Sequence, residues 1–348
     1  MTAAVPRLFC SRAFRWFEPV ASRTGRVHLC CSSWLGKPIG DLRTESALAI
    51  WNGAAAQEIR ASIHDGSFRY CDRMRCPYLQ TVAGPVRRIG DVDDQELRDA
   101  IARKLTILPY GPREINCAYD RSCNLSCPSC RTGPIIEKEN ERDILGIQHK
   151  IEKELLRDAH HLNVTGSGDP FGSPYFRRWL QTMRREDAPE LRNINLHTNA
   201  LLWTPGMWSS IPEDIRRLIG SADISIDAAS PGTYATNRRG GDFQKLLDNL
   251  EFIGSLRRQG ALKSLTISMV VQANNFREMP DFVRLGRRFD IDGVYFKQLV
   301  DWGTFSDEEF AARAVHLPGH PDHPEFLRIL GHPLLKDVPL ENLTYLLG

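Results

Sequence analysis

From about residue 113 onward, short runs of β-branched and apolar residues alternate with longer segments whose apolar residues recur every three or four positions. The short runs, at 114–119, 161–165, 193–198, 222–227, 265–271 and 293–299, predict strands. Between them, Ile144, Ile147, Ile151 and Leu155 lie on one helical face, as do Phe176, Trp179, Leu180 and Met183 after Ser173-Pro174, an N-cap followed by a first-turn proline. A third face, Phe243, Leu246, Leu247, Leu250 and Ile253, opens at Asp242. Strands alternating with helices predict an α/β fold with a parallel sheet. Six such units are too few for an eight-stranded barrel, so the pattern fits a partial (β/α)6 barrel of TIM-like type. In such barrels the chemistry sits at the C-terminal ends of the strands.

The first hundred residues read differently. Two short helices are predicted at 44–51 and 54–63, separated by Asn52-Gly53, and the second carries Ala56, Ile59 and Ile63 on one face before Asp65-Gly66. Few strands are expected here, yet five cysteines are present: Cys10, Cys30, Cys31, Cys71 and Cys76. A small module of this kind often needs a metal to fold. The expected organisation is a metal-binding auxiliary domain at 1–100, a barrel at 105–302, and a C-terminal extension packing on the barrel at 303–348.

Composition narrows the class. At 348 residues with a formal charge of +2, the chain is too near balance to imply nucleic acid or membrane as a partner. No stretch approaches the roughly 18 apolar residues of a membrane span. Arg7, Arg12 and Arg15 give the N-terminus a pattern that transit peptides share, but the apolar run of a secretory signal is absent and Cys10 reads as part of the folded protein. Nine cysteines in such a chain read as metal ligands rather than disulfides, hence a cytoplasmic, oxygen-sensitive metalloprotein.

The most specific chemistry lies just after the first predicted barrel strand. Cys123, Cys127 and Cys130 form a CxxxCxxC run. Three thiolates leave one iron of a cubane cluster, which normally takes four, open to another ligand. The run resembles that of the radical S-adenosylmethionine (SAM) superfamily, whose fold is a partial barrel and whose open iron binds the amino and carboxylate groups of SAM. The resemblance implies reductive cleavage of SAM to a 5′-deoxyadenosyl radical that abstracts hydrogen from an unreactive C–H bond. One position departs from the family: the residue before the third cysteine is Ser129, where an aromatic residue is common.

A second resemblance covers roughly residues 8–80. Gly25-x4-Cys30, Ile39-Gly40-Asp41-Leu42, Ile50-Trp51-Asn52, Ile59-Arg60 and Cys71-x4-Cys76-Pro77 are similar to SPASM or twitch domains, which carry auxiliary 4Fe–4S clusters. Here the segment precedes the barrel, whereas in the best-known members it follows. The resemblance implies Cys10, Cys71, Cys76 and one of Cys30 or Cys31 as ligands, Cys30 being favoured by the Gly-x4-Cys spacing. Four cysteines also suit a structural zinc ion.

The same family resemblance assigns SAM contacts. Gly166-Ser167-Gly168-Asp169-Pro170, after the second strand, is similar to the GGEP segment that contacts the SAM amino group, Asp169 standing for glutamate. His197-Thr198-Asn199-Ala200 is similar to a TNG strand ending, which brings in Thr198, and Ser225-Ile226-Asp227-Ala228 is similar to SIDG. By that resemblance Ser225 hydrogen-bonds SAM, Asp227 faces SAM or substrate, and Arg239 of the Arg238-Arg239 pair meets the SAM carboxylate. Gln272, Asn274 and Lys297 are weaker candidates for the cavity. Cys117 reads as a buried thiol, and His316, His320, His323 and His332 as part of a loop over the barrel.

The implied activity is hydrogen abstraction from a peptide or a small sugar-like or natural-product substrate, ending in oxidation, cross-linking or epimerisation. The cofactors are two 4Fe–4S clusters and SAM, with a flavodoxin- or ferredoxin-type electron donor. The competing classes are an iron–sulfur electron-transfer or carrier protein, and a zinc-stabilised binding module without SAM chemistry. Iron content and SAM cleavage separate the three.

Overall fold

The computed structural model describes residues 7–20, 25–336, 338 and 340–341. The outermost parts of the expected N-terminal domain and C-terminal extension, 1–6 and 342–348, lie outside the described residues. The chain divides into two compact units that interleave along the sequence: 1–121 with 137–167 and 184–194, and 122–136 with 168–183 and 195–348.

The first unit contains five short N-terminal strands: β1 (Leu8–Cys10), β2 (Trp16–Pro19), β3 (Arg26–His28), β4 (Gly40–Asp41) and β5 (Val86–Arg88). Each is two to four residues long, too short for alternation to register in the sequence. Their pairing explains why the unit does not stop near residue 100. β2 lies parallel to β6 (Glu114–Cys117), with Trp16 opposite Glu114 and Phe17 opposite Ile115. β6 in turn lies parallel to β7 (His161–Val164). On its other edge β2 continues antiparallel into β3 and β4, while β1 and β5 pair separately. Gly25, at φ +57°, turns the chain into β3 in a conformation that favours glycine. Helices Ala47–Trp51 and Ala54–His64 stand where periodicity places them, the first capped by Ser46, whose hydroxyl accepts from Ala49 N–H at 3.2 Å. Between them Arg60, wholly buried, donates to the carbonyls of Ala13, Trp51 and Thr106 and stacks 4.4 Å from the Trp51 ring. The buried stripe Ile144, Ile147, Ile151 and Leu155 runs through helix Glu141–Lys150 into a wider π-helical turn, Ile151–Leu155.

β8 (Asn193–Thr198) carries the chain into the second unit, where β9 (Ile219–Ser225), β10 (Ser264–Val271), β11 (Gly293–Gln298) and the two-residue β12 (Leu340–Glu341) pair in parallel. All six predicted barrel strands therefore exist. Side chains alternate between two faces: Leu196, Ile224, Ile267 and Phe296 are fully buried, whereas His197, Asp223, Thr266 and Lys297 on the opposite face are not, and Ser268 beside them is buried as well. Helix Phe243–Arg258, capped by Asp242, buries Leu246, Leu250 and Ile253. Ser173 caps helix Pro174–Thr182, accepting from Tyr175 and Phe176 N–H at 3.1 and 3.0 Å.

Candidate active site

In the first unit four N-terminal cysteines converge from separate parts of the chain. Cys10 ends β1, Cys30 follows β3, Cys71 sits in a turn closed by its N–H on Phe68 O at 2.9 Å, and Cys76 caps helix Pro77–Thr81. Together they line a small cavity, open in part to solvent, with Arg12, Trp34, Phe68 and Tyr78. Cys30 belongs to this lining and Cys31 does not. Arg12 stacks on Trp16 at 3.9 Å and lies 5.7 Å from the Tyr78 ring. Burial opposes its charge, but Cys30, Tyr78, Glu114 and Cys10 outweigh burial and raise its pKa. Burial pushes the Cys10 thiol up to about 11 and, with Cys10 and Cys76 adding to it, the Cys71 thiol up to about 12. Thiols so placed ionise when a metal displaces their protons.

Among the described residues, no three Cys, His, Asp or Glu side chains are gathered tightly enough for a single metal ion. The four thiols surround a space instead of meeting at a point. A zinc ion at about 2.3 Å from each sulfur requires the tighter arrangement, whereas a polynuclear cluster fills a space between its ligands. Four thiols plus the half-buried Arg12 guanidinium fit an anionic cluster.

In the second unit, Cys123, Cys127 and Cys130 lie on a loop closed at its base by Cys123 N–H donating to Ile135 O at 2.9 Å. A tight turn brings the N–H groups of Cys130 and Arg131 onto Cys127 O at 2.9 and 3.0 Å. Each of the three sulfurs has its own donors. Leu125 N–H (3.4 Å) and Asn199 Nδ2 (3.7 Å) approach Cys123 Sγ, Arg238 Nη1 (3.7 Å) approaches Cys127 Sγ, and Arg131 Nη2 (3.2 Å) approaches Cys130 Sγ. Burial nevertheless wins at Cys123, whose thiol is pushed up to about 12 with Asp169 adding to the shift. Burial likewise raises Cys127 against the opposing charge of Arg238. The donors stabilise sulfur bearing negative charge, which fits thiolates bound to iron.

The residues around this loop take roles that the sequence assigned differently. Asp169, 1% exposed, accepts four hydrogen bonds: Oδ1 from Phe171 and Gly172 N–H (2.9 and 2.8 Å), Oδ2 from Thr198 Oγ1 and Asn199 N–H (2.9 and 2.8 Å). Its carboxylate thus ties the end of β8 to the turn before helix Pro174–Thr182. Asn199, held by that tie, reaches Asn124 Oδ1 at 3.0 Å as well as Cys123. A Cβ on Gly172 would come within 2.7 Å of Asn124 Oδ1 and 2.9 Å of Asn124 N, so only glycine lets the cysteine loop approach this closely.

Asp227 occupies a left-handed backbone position (φ +60°) while buried. Its Oδ1 accepts from Val270 N–H at 2.7 Å and its Oδ2 pairs with Arg238 Nη2 at 2.9 Å. Burial raises the Asp227 pKa and Arg238 opposes the rise. The expected arginine, Arg239, instead grips the cysteine loop: Nε donates to Ser126 Oγ (3.1 Å), Nη2 to Thr132 O (3.0 Å), and its carbonyl accepts from Ser126 N–H (3.0 Å). Arg238 is the arginine placed between Asp227 and Cys127. No spacing rule separates two adjacent arginines; only the buried carboxylate does.

Of the glycine-rich segment, Gly166 packs so that a Cβ would meet Ala118 Cβ at 3.2 Å, and Ser167 Oγ donates to Ala118 O at 2.8 Å, both within the first unit. Gly168 opens the second unit's stretch at Asp169. Ser225 Oγ lies 2.8 Å from His197 Nε2. Cys117 is fully buried on β6, its pKa raised by burial. Gln272 and Asn275 close a turn, and Asn274 Nδ2 donates to Asn237 Oδ1 at 2.7 Å. His320, His323 and His332 bond backbone groups, as packing residues do.

The iron–sulfur cluster-binding SPASM domain matches residues 20–77, which include Cys30, Cys71 and Cys76. GTP 3′,8-cyclase of Alkaliphilus metalliredigens (strain QYMF) is 27% identical over 190 residues, covering 53% of this chain and 55% of that protein. The corresponding protein of Alkaliphilus oremlandii (strain OhILAs) is 26% identical over 208 residues, covering 56% and 61%. Residues 20–77 thus match a SPASM segment, and over about half of its length the chain is similar to these curated relatives. The alignments with these curated relatives take in little more than half of their length. Looser likenesses include Streptococcus suis SuiB bound to S-adenosylmethionine (12% identity, TM-score 0.42, covering 84% of this chain and 62% of that one). Another is native anSMEcpe with bound AdoMet and Kp18Cys peptide (16%, 0.38, 63% and 60%). Parallel pairing of β6 with β7 in the first unit and of β9, β10 and β11 in the second, with helices between strands, is an α/β arrangement. Among the described residues no helix is long and apolar enough to cross a membrane.

Proposed function

We propose that this chain is a radical SAM enzyme that reductively cleaves SAM and abstracts hydrogen from a C–H bond of a peptide or a small sugar-like or natural-product substrate. The observation that carries the reading is the loop of Cys123, Cys127 and Cys130, three sulfurs each met by its own hydrogen-bond donor. These thiolates would hold a 4Fe–4S cluster, which would supply the electron that cleaves SAM. Arg238 and Arg131 balance the charge of that group, Asp227 fixes Arg238, and Asp169 with Asn199 holds the loop in register. Asp169, with its four acceptor positions taken, serves SAM by shaping the turn, and the backbone of Gly166, Ser167 and Gly168 remains the proposed cradle for the SAM amino group. Ser225 and Thr198 are proposed as further SAM contacts. The N-terminal Cys10, Cys30, Cys71 and Cys76 are proposed to hold a second 4Fe–4S cluster that relays electrons or binds substrate, fed by a flavodoxin- or ferredoxin-type donor.

The test is anaerobic reduction with SAM and quantification of 5′-deoxyadenosine. Wild-type protein is expected to form it and Cys127→Ala to lose it while the strands keep their circular-dichroism signature. Wild-type levels in Cys127→Ala defeat the assignment.

A further inference from the structure

The face of β8–β11 opposite the apolar core carries a polar network that the cysteine chemistry does not use. On β9, Asp223 accepts from Lys297 Nζ of β11 at 2.8 Å, and from Thr266 and Ser268 hydroxyls of β10 at 3.3 and 3.4 Å. His197 of β8 brings Nε2 to 3.7 Å from the same carboxylate and 2.8 Å from Ser225 Oγ. Deeper on the same face, Ser221 Oγ donates to Asn195 Oδ1 at 2.9 Å. Four strands therefore place neighbouring polar side chains on one face, Asp223 bonded to β10 and β11 and His197 bonded to Ser225.

The patch is open to a ligand. The His197 side chain retains 41% exposure, and those of Asp223 and Lys297 retain 19% and 28%. Burial by the surrounding protein lowers the His197 pKa.

The charges then select the ligand. Burial opposes the Asp223 charge, but His197 and Lys297 outweigh it and hold the carboxylate ionised. Lys297 neutralises Asp223, and a desolvated His197 is uncharged at neutral pH. The patch has no net charge, so a phosphate or carboxylate would have to break the Asp223–Lys297 pair to gain a cation. A hydroxyl fits without that loss, because one oxygen both donates and accepts. Neighbouring hydroxyls on one ring can donate to Asp223 and His197 while accepting from Lys297 or Ser225.

We propose that the polar face of β8–β11, centred on Asp223 with His197 and Lys297, recognises an uncharged, hydroxyl-bearing edge of the substrate, as on a sugar or cyclitol ring. The inference rests on the radical SAM reading only in calling the ligand a substrate. Ser225, a proposed SAM contact, adjoins His197 and sets this edge beside the SAM site.

The test is anaerobic equilibrium dialysis of the reconstituted full chain against labelled myo-inositol and D-glucose, with GTP as the anionic comparison. At least one polyol is expected to bind. Asp223→Ala and His197→Leu are expected to weaken binding by tenfold or more. His197→Gln, whose amide still accepts a hydrogen bond, is expected to stay within a few-fold of wild type. Binding of GTP but neither polyol, binding of none of the three, or polyol binding indifferent to both Asp223→Ala and His197→Leu overturns the proposal. The dialysis contains neither SAM nor reductant, so a failure of SAM cleavage is read separately and leaves this result standing.

Discussion

Replacing Arg238 by methionine tests the part of the site that sequence spacing hid. Arg238 and Asp227 form an ion pair at 2.9 Å with side chains only 12% and 3% exposed, so solvent screens it little. Methionine fills much of the arginine's volume but leaves Asp227 buried without its counter-charge, in a left-handed backbone that other contacts must hold. Removing one partner of a buried pair typically destabilises by about 3–5 kcal/mol, more than the pair's net contribution. With a urea m-value of about 3 kcal/mol per M for a chain of this size, the unfolding midpoint should fall by roughly 1–1.7 M. Adding Asp227→Asn removes the stranded charge, keeps an acceptor for Val270 N–H, and places a residue that tolerates the left-handed region. The double variant should therefore recover more than half of the loss. Anaerobic urea titrations of the wild type, both single variants and the double variant measure the coupling. A midpoint unchanged in Arg238→Met, or a double variant less stable than that single one, refutes the reasoning.

The other predictions concern the N-terminal thiols and the C-terminal histidines. Cys71→Ala/Cys76→Ala is expected to lose about half of the reconstituted iron; iron analysis checks this, and stoichiometric zinc in the wild type with a single cluster contradicts it. Arg12→Gln should lower the midpoint potential of the N-terminal cluster, because a nearby cation favours the reduced, more negative state; redox titration followed by electron paramagnetic resonance should show a fall of tens of millivolts, about 60 mV being tenfold. His316 is 2% exposed, its Nδ1 has no hydrogen-bond partner among the described residues, and burial, with His323 and His320 adding to it, lowers its pKa from 6.5 to about 4. The unfolded chain therefore takes up this proton first as pH falls, so stability is full above pH 6.5 and drains toward pH 4, by about 3 kcal/mol in all. Urea midpoints at pH 7.5 and 5 should converge in His316→Phe relative to the wild type, and an unaltered difference contradicts the assignment.

Much of this architecture was legible because it repeats. The six barrel strands and their helices follow from period and capping alone, as Ser173-Pro174 and Asp242 illustrate. The cysteine loop was legible because three thiols at fixed spacing admit few readings. The five N-terminal strands were not, since elements of two to four residues take their conformation from partners distant in sequence. Individual roles were hidden for a related reason. Arg238 and Arg239 are chemically identical in sequence, and their different roles come from Asp227 and Ser126, more than ten and more than a hundred positions away. Asp169 looked like a ligand contact because a carboxylate beside glycines suits an ammonium. The fold surrounds it instead with four donors of its own. Cys30 and Cys31 became distinguishable only once a cavity wall existed to include one of them.

The parallel pairing of β2 with β6 has a consequence for how the protein is made. Trp16 and Phe17 leave the ribosome long before Glu114 and Ile115, the partners that complete their strand edge. At about 5–20 residues per second, the interval of roughly a hundred residues lasts on the order of 5–20 s. Throughout that time Cys10, Cys30, Cys71 and Cys76 emerge onto a nascent chain whose sheet is unfinished, exposed to oxidation and to whatever metal is nearest. The sheet edge that β2 offers is thus completed late in biosynthesis despite its early place in the chain, and the proposed N-terminal cluster would be safest loaded after that point.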